Sequence, residues 1–373
     1  MNRLESLGWN PFFEQQVQSN TDPEWRPARV FEEQRGSWAL WWEGGACRAT
    51  VAGRLRHESE GEPAALPCVG DWVLARFPGY ASRNGGAAAG NGGIAADGAV
   101  IHRVLARKTR FSRQDPGKGA GEQVVAANVD TVFLVQSLNR DFNVRRLERY
   151  LALLWESGAE PVVVLSKADL RPDAAHERAA VERAASGAAV HAVSAFTPNG
   201  LDPLLPYLAP GRTAALVGSS GVGKSTIVNG LAGQEVMRTR EIRDEDDRGR
   251  HTTTSRRIVQ LPAGGLLLDT PGMRTVLLWE GEEGLSQTFE DVESVAAGCR
   301  FRDCTHQAEP GCAVRAALED GSLDSGRFAS YGKLQREVRY QAGKVDKRIR
   351  LAEQRRWKKI HLEARQRPDK RSL

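Results

Sequence analysis

Long apolar runs are missing from this chain of 373 residues, since no stretch of about 18 consecutive apolar residues occurs in it. A helix needs roughly that length to cross the hydrocarbon core of a bilayer. The start of the chain also lacks a signal-peptide pattern. We therefore expect a cytoplasmic protein without a membrane partner, and we expect it to be a monomer.

Cysteine is scarce, with five in the chain, and three of the five fall within fourteen residues. These three and a histidine have the spacing C-x4-C-x-H-x5-C: Cys299, Cys304, His306 and Cys312. Thiolate and imidazole groups this close together can close a tetrahedral zinc site, which we predict to be structural because protein fills all four positions. Disulfides are the competing use, and they are disfavoured in a reducing cytosol. Cys47 and Cys68 stand alone and are predicted to be packing residues.

A glycine-rich phosphate loop, G-x-x-x-x-G-K-[ST], covers residues 218–225. Residues 213–217 before it are apolar and predict a strand, and residues 226–232 after it predict a helix. Backbone N–H groups and the helix N-terminus can then surround a phosphate. A chance glycine-rich turn is the alternative. The predicted nucleotide contacts here are Gly218, Ser219, Ser220, Gly221, Val222, Gly223, Lys224, Ser225 and Thr226, with Lys224 on the β/γ-phosphates and Ser225 on Mg²⁺.

Two further motifs point to guanine as the base. Residues 166–169, Ser-Lys-Ala-Asp, follow the buried-strand pattern of residues 161–165. The Asp169 carboxylate can accept hydrogen bonds from both N1–H and the 2-amino group of guanine. Ser166 stands where such motifs usually have Asn, and it can replace one amide hydrogen bond to the phosphate loop but not two. A plain strand-to-helix turn is the alternative. The predicted base contacts are Ser166, Lys167, Ala168, Asp169, Ser194 and Ala195.

A D-x-x-G element at residues 269–272 follows the apolar run 266–268. We predict that Asp269 helps to hold Mg²⁺ and that the Gly272 N–H faces the γ-phosphate. The next residue is Met273, where Ras-like enzymes have the Gln that orients the attacking water. Gly221, fourth in the phosphate loop, also has no side chain with which to hold a potassium ion.

The segment 247–254 precedes a predicted strand at residues 257–261 and has the position and composition of a switch loop. One of its three threonines would complete the Mg²⁺ shell, and we choose Thr253. His251 is the one imidazole near the phosphates in sequence, and it is the candidate catalytic residue. A solvated loop histidine is the alternative for His251.

The motifs occur in a permuted order, with the base-reading motif ahead of the phosphate loop. A permuted parallel sheet can still assemble one site, because ligands lie at the carboxyl ends of the strands. In these motifs the chain resembles the bacterial ribosome small-subunit-dependent GTPase A family, from roughly residue 8 to 360. The resemblance implies GTP hydrolysis with Mg²⁺, an OB domain, one zinc ion, and a role in late maturation of the small ribosomal subunit, with release after hydrolysis.

The N-terminal part contains five short β-rich runs, at 28–31, 37–42, 47–51, 71–76 and 99–104. Five such runs in about eighty residues are typical of a small Greek-key barrel of the OB type, which often binds oligonucleotides. Residues 83–98 are rich in Gly and Ala and predict a flexible insertion in a barrel loop.

The basic residues are concentrated at the C-terminus. Residues 333–373 contain 15 Lys and Arg against 5 Asp and Glu, a net charge of +10, whereas the whole chain carries +5. Val338, Val345, Ile349 and Ile360 give this tail a sparse apolar stripe, which predicts a long helix with a cationic outer side. Contact with rRNA is the favoured interpretation. An ordinary solvated helix and a bilayer surface are the alternatives.

We predict three parts: an OB-like barrel with an N-terminal extension (1–110), a circularly permuted α/β GTPase core (111–282), and a helical zinc module with a basic tail (283–373). The expected partners are GTP, GDP and the small ribosomal subunit with its rRNA. An RNA-binding switch with little turnover is one alternative function, because Met273 cannot orient water. A metal-trafficking GTPase is another, suggested by the Cys/His cluster.

Overall fold

A computed structural model describes residues 1–18, 22–34, 36–59, 63–78, 95–114, 122–138, 142–171, 173–235, 256–269 and 282–345. The chain forms two compact units, Met1–Leu277 and Leu278–Leu373. In the described ranges, no helix combines the length and the apolar content needed to cross a bilayer.

Five strands build the N-terminal barrel: β1 (Trp25–Gln34), β2 (Ser37–Trp42), β3 (Gly45–Val51), β4 (Trp72–Arg76) and β5 (Ala95–Val104). The barrel closes because β1 pairs with both β2 and β4, while β5 pairs with β3 and β4. Alternate side chains such as Trp38 and Leu40 point into its core. The predicted OB-like barrel is confirmed. Its last strand begins at Ala95, so residues 95–98 belong to β5 and were wrongly assigned to the Gly/Ala-rich insertion, of which 83–94 lie outside the described residues.

Three short helices accompany the barrel: α1 (Arg3–Ser6), α2 (Pro11–Gln18) and α3 (Gly53–Glu58). The N-terminal segment packs on the barrel through aromatic rings. Trp9 and Phe13 contact Trp72 of β4, with ring centroids 4.8 Å and 5.7 Å away. Cys47 and Cys68 are buried free thiols, as predicted for packing residues.

A hairpin of β6 (Arg110–Gln114) and β7 (Glu122–Ala127) leads into the GTPase core. The core strands are β8 (Thr131–Ser137), β9 (Glu160–Ser166), β10 (Ala189–Ala192), β11 (Thr213–Val217), β12 (Arg256–Gln260) and β13 (Leu266–Asp269). They lie in the order β10-β9-β8-β11-β13-β12, and all neighbours except β12 and β13 are parallel. β8 and β11 are buried along their whole length, and so is β9 after its first residue, because both faces of the sheet are covered.

The helices of the core are α4 (Val144–Glu156), α5 (Ala175–Ala184) and α6 (Lys224–Ala232). α4 begins where the Asn143 side chain accepts a hydrogen bond from the Arg146 N–H, at 3.0 Å. Its Leu147, Leu151 and Leu154 are buried at helical spacing. The helix therefore has one apolar face, and its N-terminus lies just after β8.

The barrel and the GTPase sheet are joined edge to edge. Strand β1 pairs antiparallel with β12, so that Glu32 faces Arg257 and Glu33 faces Arg256. The Arg256 guanidinium lies 3.2 Å from the Glu33 carboxylate. As a result, the barrel and core strands form one sheet of eleven strands.

The second unit is helical, with α7 (Glu282–Thr288), α8 (Glu290–Ala297), α9 (Ala313–Glu319) and α10 (Ser325–Val345). Arg327 of α10 holds it together, donating to both carboxylate oxygens of Asp291 at 2.6 and 2.7 Å and to the Thr288 carbonyl at 2.8 Å. Val338 is buried, as the apolar stripe predicts. The side chains predicted further along that stripe, from residue 345 onward, lie outside the described side chains.

Candidate nucleotide site and metal cluster

The phosphate loop lies between the end of β11 and the start of α6, as the motif predicts. Gly218 lies so close to β8 that a Cβ added there would come within 2.2 Å of the Val135 carbonyl oxygen. Gly221 and Gly223 have φ of +76° and +95°, a conformation that side chains disfavour. The glycines thus let the backbone turn tightly around the space in front of α6.

Lys224 lies in the first turn of α6, where its ammonium group donates to the carbonyl oxygens of Gly218 and Ser219 at 2.9 and 2.5 Å. Ser225 and Thr226 follow it and are half-buried. A cationic group and free N–H groups at a helix N-terminus attract an anion. The loop can therefore hold phosphate, with Lys224 exchanging loop carbonyls for phosphate oxygens.

The base-reading loop is tied to the phosphate loop by two hydrogen bonds. The buried Ser166 hydroxyl donates to the Val222 carbonyl at 2.6 Å. Lys167 has a φ of +60°, and its ammonium group donates to the Gly221 carbonyl at 3.0 Å. The sequence predicted the first of these bonds and missed the second, which comes from the neighbouring Lys167.

Asp169 lies in a short 3-10 turn, Ala168–Leu170, with its carboxylate exposed. The Ala168 N–H donates to the Val193 carbonyl at 3.1 Å, which brings the loops after β9 and β10 together. Ser194 is buried, and its hydroxyl accepts from the Phe196 N–H at 3.1 Å. Ala195 lies beside it, half-buried. The two guanine motifs therefore form one open rim at the carboxyl ends of adjacent strands.

A cation missed by the sequence analysis also reaches the phosphate loop. Arg146, in the first turn of α4, donates from Nη1 to the Ser219 hydroxyl at 2.8 Å. β8 pairs with β11, so the helix that follows β8 begins next to the loop that follows β11. The Asn143 cap after the 131–137 strand is the sequence signal that places Arg146 there.

The metal candidates Cys299, Cys304, His306 and Cys312 come together in the second unit. All four ligand atoms lie within 4.8 Å of one another. The His306 Nδ1 lies 3.5 Å from the sulfurs of both Cys299 and Cys312, and those two sulfurs are 3.9 Å apart. Tetrahedral ligands at about 2.0–2.3 Å from zinc are separated by roughly 3.5–3.8 Å. The four side chains therefore fit a metal ion.

Backbone N–H groups support this cluster. Burial raises the pKa of the Cys299 thiol, but the N–H groups of Val314 and Ala313 at the start of α9, together with hydrogen bonds from Cys304 and Cys312, hold that pKa below its ordinary value. Across the loop, the Glu309 carboxylate accepts from the N–H groups of Thr305 and Gln307, both at 2.9 Å. The loop that carries the ligands is thus ordered by its own hydrogen bonds.

The chain is similar to known proteins both in amino-acid sequence and in three-dimensional structure. A family model described as RsgA GTPase matches residues 104–279. A protein of Opitutus terrae named small ribosomal subunit biogenesis GTPase RsgA is 49% identical over 359 residues, which are 96% of each chain. The chain belongs to the RsgA GTPase family. As an RsgA GTPase it hydrolyses GTP to GDP and phosphate, and an RNA-binding switch with little turnover is not favoured.

A second RsgA relative and two solved structures are also similar to this chain. An RsgA of Syntrophotalea carbinolica is 42% identical over 376 residues, covering 96% of this chain and 98% of its own. The crystal structure of YjeQ from Thermotoga maritima has a TM-score of 0.61 and 26% identity, and covers 84% of this chain and 98% of its own. The structure of YloQ, a circularly permuted GTPase, has a TM-score of 0.59 and covers 87% of this chain and 99% of its own. At 21% identity YloQ supports the fold alone. The permuted order is thereby confirmed.

Two of the predicted magnesium ligands of this RsgA GTPase lie in described elements. Ser225 lies in the first turn of α6, and Asp269 ends β13, which pairs parallel with the phosphate-loop strand β11. The end of β13 and the phosphate loop therefore lie at the same edge of the sheet, and a hydroxyl with a carboxylate suits Mg²⁺. The Asp269 side chain lies outside the described side chains. Gly272, Met273, His251 and the three threonines 252–254 lie outside the described residues, so their roles stay predictions.

The Ser166 bond gives a first prediction for this RsgA GTPase. Ser166→Ala removes the donor to the buried Val222 carbonyl, a loss of about 1–2 kcal/mol. Nucleotide affinity should then fall about tenfold, because the base-reading loop loses one of its two bonds to the phosphate loop. Titration with a fluorescent GDP analogue measures this. As a control, Ser157→Ala removes a buried hydroxyl bond at the far end of α4 and should leave affinity unchanged. Equal affinity in Ser166→Ala and wild type contradicts the prediction.

Proposed function

We propose that this GTPase acts in late maturation of the small ribosomal subunit, that it binds the subunit's rRNA, and that the subunit stimulates its GTP hydrolysis. The observation that carries the proposal is the match across 96% of both chains to a relative named for small ribosomal subunit biogenesis. Late maturation, rather than another stage, rests on the family resemblance seen in the sequence.

The assignment of the nucleotide contacts belongs to the same proposal. We infer that residues 218–226 hold the phosphates, that residues 166–169 with Ser194 and Ala195 hold guanine, and that Mg²⁺ is held by Ser225, Asp269 and Thr253. The hydrogen bonds that bring the two loops together support the first two assignments. Asp269 and Thr253 rest on their motifs.

The pairing of β1 with β12 suggests how the bound nucleotide, GTP or GDP, changes the affinity for RNA. Strand β12 follows the switch segment 247–254 directly in the chain, and it is paired with β1 of the barrel. A change in the switch segment on hydrolysis would then act on β12 and on the barrel strand beside it. The Arg256–Glu33 ion pair lies at this junction. GTP would favour binding to the subunit and hydrolysis would favour release.

The RNA contacts would come from the barrel and from the basic C-terminal region. On α10, Lys333 and Arg336 are exposed, whereas Leu334 and Val338 are buried. The cationic side of this helix is thus free to meet phosphates. Binding should weaken steeply as salt rises, because each phosphate contact releases counterions.

For the metal cluster, zinc is the proposed ion and its role is structural. Three sulfur ligands and one imidazole suit zinc, and four protein ligands leave no open position for substrate. A trafficking site has to release its metal, so the closed ligand set speaks against that alternative. We also propose the three-part division at residues 110 and 282, a monomer that acts without a membrane, and a cytoplasmic location, which is that of its proposed partner.

The test of this function is GTP turnover with and without purified small ribosomal subunits. Slow basal turnover and a large increase with subunits are expected, because Met273 cannot orient water and a partner has to order the switch segment. Large ribosomal subunits serve as the control. Equal turnover with small and large subunits contradicts the proposed partner while leaving the GTPase activity intact.

His251 gives a second prediction within this function. His251→Ala should reduce subunit-stimulated hydrolysis on the order of 10²-fold, the size expected for an acid–base or water-positioning group. GTP binding should be spared, since Lys224, Ser225 and Asp169 remain. Single-turnover hydrolysis and a GTP titration measure both effects. His176→Ala, which removes an exposed histidine of α5, is the matched control. If the stimulated hydrolysis rate of His251→Ala is within about twofold of wild type, His251 has no catalytic role and is a solvated loop residue.

A further inference from the structure

Arg146 brings a guanidinium group from α4 to the rim of the phosphate loop. Its Nη1 lies 2.8 Å from the Ser219 hydroxyl, and its backbone N–H is held by the Asn143 cap. The side chain is exposed, and within the described residues its guanidinium hydrogen-bonds to the side chain of Ser219. A guanidinium has five N–H donors, so most of its donors are left for another ligand.

The backbone around Arg146 is fixed although its side chain is exposed. α4 packs on the sheet through Leu147 and Leu151, both about 1% exposed, and its first turn is capped. The phosphate loop is held against β8 by the close approach of Gly218 to the Val135 carbonyl. Packing and capping thus position the Cα of Arg146 next to the loop, while the exposed side chain has room to reach another partner.

The chain lacks two groups that assist hydrolysis in related phosphate-loop enzymes. Met273 occupies the position after the D-x-x-G glycine and cannot hydrogen-bond water, and Gly221 has no side chain to hold a monovalent cation. Hydrolysis still spreads negative charge over the transferred phosphoryl group. Lys224 is one cation aimed at that charge, and Arg146 is a second cation at the same rim.

We propose that Arg146 is a catalytic residue of GTP hydrolysis, supplied by the chain itself: its guanidinium exchanges the Ser219 hydroxyl for an oxygen of the γ-phosphate. In the reaction, water attacks the γ-phosphorus and the bond to the β–γ bridging oxygen breaks. The electron pair stays on GDP, and the protons of the water end on the phosphate product and in solvent. Arg146 forms no covalent bond and stabilises the charge of the transition state by hydrogen bonding.

Arg146→Ala is the test, in single-turnover hydrolysis with saturating small subunits. The rate constant should fall on the order of 10²-fold, the usual cost of removing one such donor. Affinity for GDP should stay within about twofold of wild type, because GDP lacks the γ-phosphate. Affinity for GDP with aluminium fluoride, which imitates the transferred phosphoryl group, should fall at least about tenfold. Arg146→Lys should recover only part of the rate, since an ammonium group lacks the planar pair of donors.

Three further variants separate this role from support of the loop. Arg178→Ala removes an exposed, ion-paired arginine of α5 and controls for the loss of charge. The double variant Ser219→Ala with Arg146→Ala tests whether Arg146 affects hydrolysis only by positioning Ser219. The loss caused by Arg146→Ala should persist in the Ser219→Ala background. The proposal is overturned if Arg146→Ala hydrolyses within twofold of wild type, if Ser219→Ala alone gives the full loss, or if GDP affinity falls as much as the rate.

Discussion

Replacement of Asp169 with Asn should abolish the preference of this GTPase for guanine and create a preference for xanthine nucleotides. In the proposed site, the exposed carboxylate of Asp169 accepts from N1–H and the 2-amino group of guanine. Two hydrogen bonds to a charged group contribute about 1.5–3 kcal/mol each, so GTP affinity should fall on the order of 10²-fold or more. The asparagine amide donates to the 2-oxo group of xanthine, where it would clash with the guanine amino group.

Fluorescent GDP and XDP analogues measure this exchange directly. Asp173→Asn is the matched control, because Asp173 is an exposed carboxylate four residues further on that pairs with Arg171 at 3.2 Å. It should leave both affinities unchanged. Equal GTP affinity in wild type and Asp169→Asn would sink the assignment of residues 166–169 to the base.

Local sequence patterns were sufficient to predict most of the elements that carry the site. Largely apolar runs of three to five residues predicted strands at 161–165, 213–217 and 266–268, and each lies within a strand. The reason is that a sheet covered on both faces needs continuous apolar strands, so the pattern is visible in the sequence itself. The glycines of the phosphate loop were visible for a similar reason, since their backbone conformation excludes most side chains.

Contacts between distant segments could not be predicted in this way. The pairing of β1 with β12 joins residues more than two hundred positions apart, and no local pattern selects one edge strand as the partner of another. The bond from Lys167 to Gly221 depends on the left-handed backbone conformation of Lys167. Residues other than glycine rarely adopt that conformation, so a lysine in the sequence does not predict it. Arg146 was missed because an exposed arginine on a helix is usually solvated. Its significance comes from the loop that the fold places beside it.

Loss of the metal should have the largest effect on stability. Cys304→Ala removes one of the four ligands, and one equivalent of zinc per chain should fall to none. Zinc contributes about 10–16 kcal/mol to the folding of small zinc-binding peptides. The helices beside the cluster have only seven or eight residues, apart from α10, and helices this short are not stable alone. We therefore expect residues 278–373 to lose cooperative unfolding.

Zinc content by mass spectrometry and calorimetric unfolding measure the two consequences, and GDP affinity reports on the first unit. Cys47→Ala is the matched control, because Cys47 is a buried free thiol of the barrel core. It should lower the stability of the first unit by about 1–2 kcal/mol and leave zinc content at one. If Cys304→Ala retains one zinc per chain, the ligand set is wrong. If zinc and GDP affinity are lost together, the metal supports the nucleotide unit as well. The expected result, zinc lost with GDP affinity retained, makes the cluster a structural centre of the C-terminal unit, because all four ligands lie beyond residue 278 and every proposed nucleotide contact lies before it.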